Sequence, residues 1–239
     1  MQPSTQNSAG DGEARASSAP EVIISQAQPM TSSNHGQPSL QRLYTYVVRV
    51  DTGLAPNPFW GVCTLAVCTP NHQGSRVRCG DWIAGFLSKD RGHKFLYAME
   101  VDEILGLDEY HLDPRFEAKK PVLRGTWEQQ CGDNFYSRGP DGRWIQHRNR
   151  YHLDEASMRQ DTRFARVFIA RRFWYLGKSA ARLPTELTPI AGGRGARVNH
   201  APEWVEAFRA WVVERFGLGT HDLPHDNPDA TADVGRTCS

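Results

Sequence analysis

Three polar turns hold the residues best suited to chemistry. DTGLAPNPFWG, from Asp51 to Gly61, carries a carboxylate and an amide, and GDW (Gly80–Trp82) and GDN (Gly132–Asn134) repeat the Gly-Asp step beside aromatic residues. Asp51 could serve as a general base or accept a sugar hydroxyl, and Asn57 can donate and accept toward a base edge. Pro56 and Pro58 stiffen the loop that presents Asn57, so little entropy is lost on binding. The competing reading is an Asx-type turn in which both side chains cap backbone amides.

GDNFY sets Asp133 beside Asn134 in a turn that glycine permits, with Tyr136 on the same face as Asn134 if a strand follows. Such a set could hold a base or ribose by hydrogen bonds while the ring stacks. WIQHRNRYH then supplies His147 and His152, either of which could act as general acid or base near neutral pH. Trp82 reads first as a core residue; with one open face it would suit an extruded base.

Five cysteines, Cys63, Cys68, Cys79, Cys131 and Cys238, fit reduced thiols. Cys63, Cys68 and Cys79, with His72 nearby, raise a metal reading, but the CxxC pairs of a structural zinc site are absent, so no metal ligand is assigned. Cys63 and Cys68 read instead as small apolar residues packed in a strand. No GxSxG elbow, HExxH helix, deaminase-type HxE with PCxxC, or GxGxxG between strand and helix is present, and the cofactor stays unassigned.

Charge narrows the partners only locally. Lys and Arg total 28 against 27 for Asp and Glu, a net charge of +1, so no global field advertises nucleic acid or a membrane surface. Arg143, Arg148, Arg150, Arg159, Arg163, Arg166, Arg171, Arg172, Lys178 and Arg182 nevertheless crowd the second half, with Phe173, Trp174 and Tyr175 among them. Arginines interleaved with aromatic rings suit a surface that tracks phosphates and stacks bases. They also suit a strand with one wet side. GGRG lacks the ending and context of a phosphate loop and reads as a connector. With no apolar run of membrane-spanning length and no export signal, a cytoplasmic protein that avoids membranes is expected.

Elements must position these residues. LYTYVVRV, GVCTLAVC, KFLYAMEVDEIL, RWIQH and RVFIARRFWYLG read as strands, VRCGDWIAGFLS as a short strand pair around Gly80-Asp81, and DEYHLDPRF as one or two helical turns. APEWVEAFRAWVVERFG predicts a helix with Trp204, Phe208, Trp211 and Phe216 near one face, Pro202 in its first turn and Gly217 at C′. The reading is an α+β fold: a curved, barrel-like mixed sheet with a few flanking helices. Ser-, Gln-, Gly- and Pro-rich composition predicts disordered tails over residues 1–40 and 219–239, leaving one globular domain at 41–218.

In this order, YTYVVRVDTGLAPNPFWGVCTLAVCTP, GDWIAGF, KFLYAMEV, DEYHLDPRFEAKKP, GDNFY with WIQH after it, and FWYLGKSAARLP resemble the second of the nucleotide modification associated domain families. The likeness spans about Leu43 to Pro184. It implies a bacterial or phage protein acting near modified nucleotides in DNA base hypermodification, alongside other enzymes of such a pathway. A mechanism is not implied. Two functions follow: an enzyme that modifies a base or nucleotide, with Asp51, Asn57, Asp133 and His147 or His152 around a pocket, or a non-catalytic reader stacking a base on Trp82, Tyr136 or Phe173 beside an arginine face.

Overall fold

The computed structural model describes residues 41–68, 73–193 and 195–226. The segment expected to be a disordered N-terminal tail lies outside them. Ten strands and four α-helices occur among the described residues: β1 (Leu43–Val48), β2 (Cys63–Leu65), β3 (Trp82–Leu87), β4 (Phe95–Glu100), β5 (Glu103–Gly106), α1 (Leu107–Leu112), α2 (Trp127–Gln130), β6 (Tyr136–Arg138), β7 (Trp144–Gln146), α3 (Glu155–Asp161), β8 (Arg166–Ala170), β9 (Arg172–Tyr175), α4 (Pro202–Arg215) and β10 (Gly219–Thr220). The fold is α+β, as its residue patterns imply.

Two sheets form the body. The larger runs β1-β3-β4-β9-β10, with β1 parallel to β3 and β9 parallel to β10, and the smaller runs β2-β8-β5 in antiparallel order. β6 and β7 pair as a separate hairpin. KFLYAMEVDEIL is therefore two strands, because the chain leaves the larger sheet after Glu100 and enters the smaller one at Glu103. RVFIARRFWY switches sheets at the same level, with Arg171 between β8 and β9. Asp102 ties the two crossings: its N–H donates to the Ile169 carbonyl at 2.9 Å and its carboxylate accepts from the Arg171 N–H at 2.5 Å. This double corner joins the two sheets. The described sheets do not close into a barrel.

The expected strand pair around Gly80-Asp81 is a capped turn followed by a single strand. Gly80 sits at φ 88°, and the Asp81 carboxylate accepts from the backbone N–H groups of Arg42 and Arg78, each at 3.0 Å. Those bonds occupy the groups that a second strand would need. GVCTLAVC likewise gives only the three residues of β2, since the chain turns at Val67 and Cys68.

Helix α4 closes one face of the larger sheet. Phe208 and Val212 are buried, and Trp204, Trp211 and Phe216 pack against the same cluster as Trp82, Phe86, Phe95 and Trp174. Pro202 occupies the first turn, where its missing N–H is harmless. The helix stops at Arg215, where Phe216 turns extended at φ −125° and sets its ring 5.2 Å from Trp211, so Gly217 is not the left-handed cap. Beyond residue 218, β10 pairs with β9, and Asp226 meets the first polar loop. Residues 227–239 lie outside the described segment.

Candidate active site

GDNFY is the hub that brings the polar loops together. A side chain at Gly132 would place its Cβ 2.4 Å from the Lys119 carbonyl, so only glycine permits this approach. Asp133 is fully buried and accepts from Thr64 Oγ1 at 2.7 Å and Tyr110 OH at 2.8 Å. Burial pushes its carboxyl above the usual range despite Lys119 nearby and those two donors. Asn134, also buried, donates to the carbonyls of Tyr110 and Phe116 at 3.1 and 3.2 Å and accepts from His111 Nδ1 at 3.2 Å. The His111 ring stacks on His147 with centroids 4.7 Å apart, and His147 bonds Ser137 Oγ at 2.8 Å. His147 is solvent-exposed.

Asn57 and Lys119 form the second part. Asn57 pairs with Thr64 through two backbone hydrogen bonds of 2.9 Å and donates its amide to the Cys131 carbonyl at 2.8 Å. Lys119 reaches in from the other side. Its ammonium donates to Asn57 Oδ1 at 2.7 Å, to the Asn57 carbonyl at 2.9 Å and to the Val62 carbonyl at 2.8 Å, so all three protons have acceptors. Burial lowers its pKa to about 8, against the pull of Asp133. Nothing in EAKKP distinguishes this lysine from its neighbour Lys120, which is partly exposed and pairs with Glu117.

The same loop walls an open groove of about 420 Å³ with Pro58, Phe59, Trp60 and Gly61. Arg171, from the link between β8 and β9, lines it with Phe173 of β9 and Thr220 of β10. Trp60 is 40% exposed, and its ring lies 5.6 Å from the Lys119 ammonium, which couples the groove to the buried network. Phe173 reaches this groove although it is almost wholly buried. Trp82 does not contribute: it stacks on Trp174 at 4.9 Å inside the core.

Asp51 lies elsewhere. Both carboxylate oxygens are within 2.8 Å of Tyr175 OH, and one also accepts from the His225 N–H at 2.8 Å. The Asp51 backbone exchanges bonds with Asp226, whose carboxylate in turn holds Arg91 at 2.7 Å. Burial raises the Asp51 pKa to about 6. This constellation staples the C-terminal segment to the first loop.

The fourth constellation is built around His152. Asn149 accepts from the Tyr151 and His152 N–H groups at 3.0 and 2.6 Å and returns its amide to the His152 carbonyl at 2.7 Å, fixing the backbone there. Phe135 meets the imidazole edge-on at 5.7 Å. His152 Nδ1 lies 2.5 Å from Asp161 Oδ2, at the last residue of α3. Asp161 accepts two further bonds at 2.9 Å, from Tyr136 OH and from the Cys68 N–H. With Nδ1–H donated to the carboxylate, Nε2 carries the lone pair, and it faces Cys68 Sγ at 3.1 Å. Cys68 is half-buried at φ 60°, in the left-handed region that non-glycine residues rarely occupy. Its reading as strand packing is thus corrected, while Cys63 does pack in β2, with its thiol raised by burial to about 12.

Of the sequence candidates, then, Asp133, Asn134, Tyr136 and His152 share one connected framework with Asn57, while His147 touches it from the surface through His111. Asp51 and Trp82 belong to other parts of the molecule. Nothing in the local sequence marks Lys119, Thr64, Tyr110 or Asp161 as site residues, and it offers Cys68 only as a metal ligand or a packed thiol. The arginine-rich run divides as well. Arg166 donates to the carbonyls of Ser75 and Val77, and Arg172 pairs with Glu100. Among the described residues no cluster of three or more His, Cys, Asp or Glu side chains is arranged to hold a metal ion, and His72 is not among them.

The family called nucleotide modification associated domain 2 matches residues 40–231, and the chain belongs to it. That span includes every constellation above. No curated protein and no solved structure matches the chain. No described helix is long and apolar enough to cross a membrane.

Proposed function

We propose that this chain modifies a nucleotide or a DNA base, with the base held in the groove beside Trp60 and Phe173, on the framework that also carries His152. Family membership supports the substrate class. The observation that carries the reading is the groove itself: its volume lies within the range of small-ligand sites, an exposed indole offers a stacking face, and Arg171 stands at its rim for a phosphate. Asn57 and Asp133 hold the loop that forms its wall, and the GDNFY turn extends the same frame to His152 through Phe135. Other enzymes of a modification pathway are the expected partners.

A non-catalytic reader would use the same groove, and one experiment separates the two. Nucleosides from DNA of cells with the wild-type protein, the His152→Gln variant or no protein are compared by mass spectrometry. Modification predicts a nucleoside that depends on His152. A profile unchanged across all three, in cells supplying the pathway, leaves the reader, which then predicts salt-sensitive single-strand binding lost in Trp60→Ala.

A further inference from the structure

We infer that Cys68, His152 and Asp161 form a nucleophilic triad in which the Cys68 thiolate attacks an acyl carbon of an amide or ester. The parts stand in the required order. A carboxylate buried to 1% exposure receives Nδ1–H at 2.5 Å, which leaves Nε2 basic, and Nε2 lies 3.1 Å from the sulfur of a half-buried cysteine. A second hydrogen bond, from Tyr136 OH at 2.9 Å, fixes the carboxylate oxygen that holds the imidazole. The Cys68 N–H on the other oxygen ties the nucleophile's backbone to the same group.

Packing alone does not explain this arrangement. Cys63 and Cys131 show what structural thiols look like in this chain: both are fully buried, and burial raises each to about 12. Cys131 bonds the Thr52 carbonyl and Tyr151 OH, neither of which is a base at neutral pH. Cys68 alone of the described cysteines meets an imidazole, and it does so from a left-handed backbone position.

The chemistry balances without a redox partner. His152 Nε2 takes the thiol proton as the S–C bond forms at the carbonyl carbon, and the tetrahedral intermediate then expels an amine or alcohol that leaves with that proton. The C–N or C–O bond breaks and a thioester remains. Water or an acceptor amine then attacks the thioester, His152 takes the incoming proton, and the thiol is regenerated as that proton returns to sulfur. A base able to return its proton is what a departing nitrogen or oxygen needs, and this favours substitution at an acyl carbon. Asp161 is a positioning residue. The inference does not require the acyl substrate to be a nucleotide; it shares His152 with the proposed function, and Cys68 alkylation, which needs no nucleotide, tests it separately.

The test uses the full chain with two probes. Iodoacetamide at pH 7, followed by peptide mapping, should alkylate Cys68 at least about tenfold faster than the exposed Cys79, and His152→Gln should remove that advantage. p-Nitrophenyl acetate should leave an acetyl group on Cys68 and turn over, with both lost in Cys68→Ser. Should His152→Gln fail to fold, Asp161→Asn replaces it, with thermal melting as the control. Equal alkylation of Cys68 and Cys79, a rate indifferent to both variants, or acetylation elsewhere would overturn the triad. So would alkylation that needs prior chelation, which would mean that Cys68 and His152 hold a metal.

Discussion

Asp51 and Asp161 begin alike and end differently. Each is a buried aspartate that accepts a tyrosine hydroxyl, from Tyr175 in one case and Tyr136 in the other. Beyond the carboxylate the likeness stops. Asp51 faces a backbone N–H from His225, a donor whose proton does not move at any physiological pH. Asp161 faces an imidazole whose far nitrogen meets a thiol. A hydrogen-bonded buried carboxylate is therefore only a framework here, and its chemistry depends on whether the next group can exchange a proton. Asp133, held by Tyr110 and Thr64, is a third such framework, placed beside a buried lysine.

The sharpest way to break the comparison is to make the same substitution at both ends. Asp161→Asn should slow Cys68 alkylation by at least about tenfold and acyl turnover by about 10²- to 10⁴-fold, the usual worth of the general base, His152, that it positions. Asp51→Asn should leave both rates at the wild-type value while lowering the melting temperature. Equal losses in the two variants would erase the distinction between staple and relay.

Next in size is Asp133→Ala. It leaves the Tyr110 and Thr64 hydroxyls without their acceptor and removes the nearest carboxylate from the buried Lys119 charge, so chemical denaturation should show a loss of about 3 kcal/mol. A loss within experimental error would mean that water or a rearranged side chain replaces the carboxylate.

The smallest effect is in the pH dependence. Asp51 is raised from 3.8 to about 6, so between those values the folded chain keeps a proton that the unfolded chain has released. Stability contributed by this group is complete below about 4 and is lost as pH rises through 6. Melting curves at pH 4.5 and 7 should show that Asp51→Asn removes this component, making the variant's loss relative to wild type larger at the lower pH. The opposite ordering would place the Asp51 titration outside this window.

Local patterning made much of the fold legible. Dense β-branched and aromatic residues marked β1, β4, β8 and β9, and the spacing of Trp204, Phe208 and Trp211 marked α4, because burial on one face imposes a period on the chain. The strand readings erred in bounds where a side chain claimed the backbone, as Asp81 does beside β3. His152 and Asp133 were readable as titratable groups beside turns. Asp51 was readable too, but its staple to residues 225 and 226 was not, because those residues sit in a segment whose composition resembles a tail.

The sequence by itself determined the α+β class, the presence of polar turns at Asp51, Asp81 and Asp133, and the resemblance to a nucleotide modification family. All of these rest on residue types and short spacings, which are properties of neighbours along the chain. Only the tertiary structure decided which carboxylate meets a base and which meets an amide. Cys68 and His152 are 84 residues apart, and Asp51 and Tyr175 are 124 apart. Contacts at such separations are set by how two sheets share strands at one corner and by where burial leaves a donor in need of an acceptor, and no local pattern along the chain encodes that.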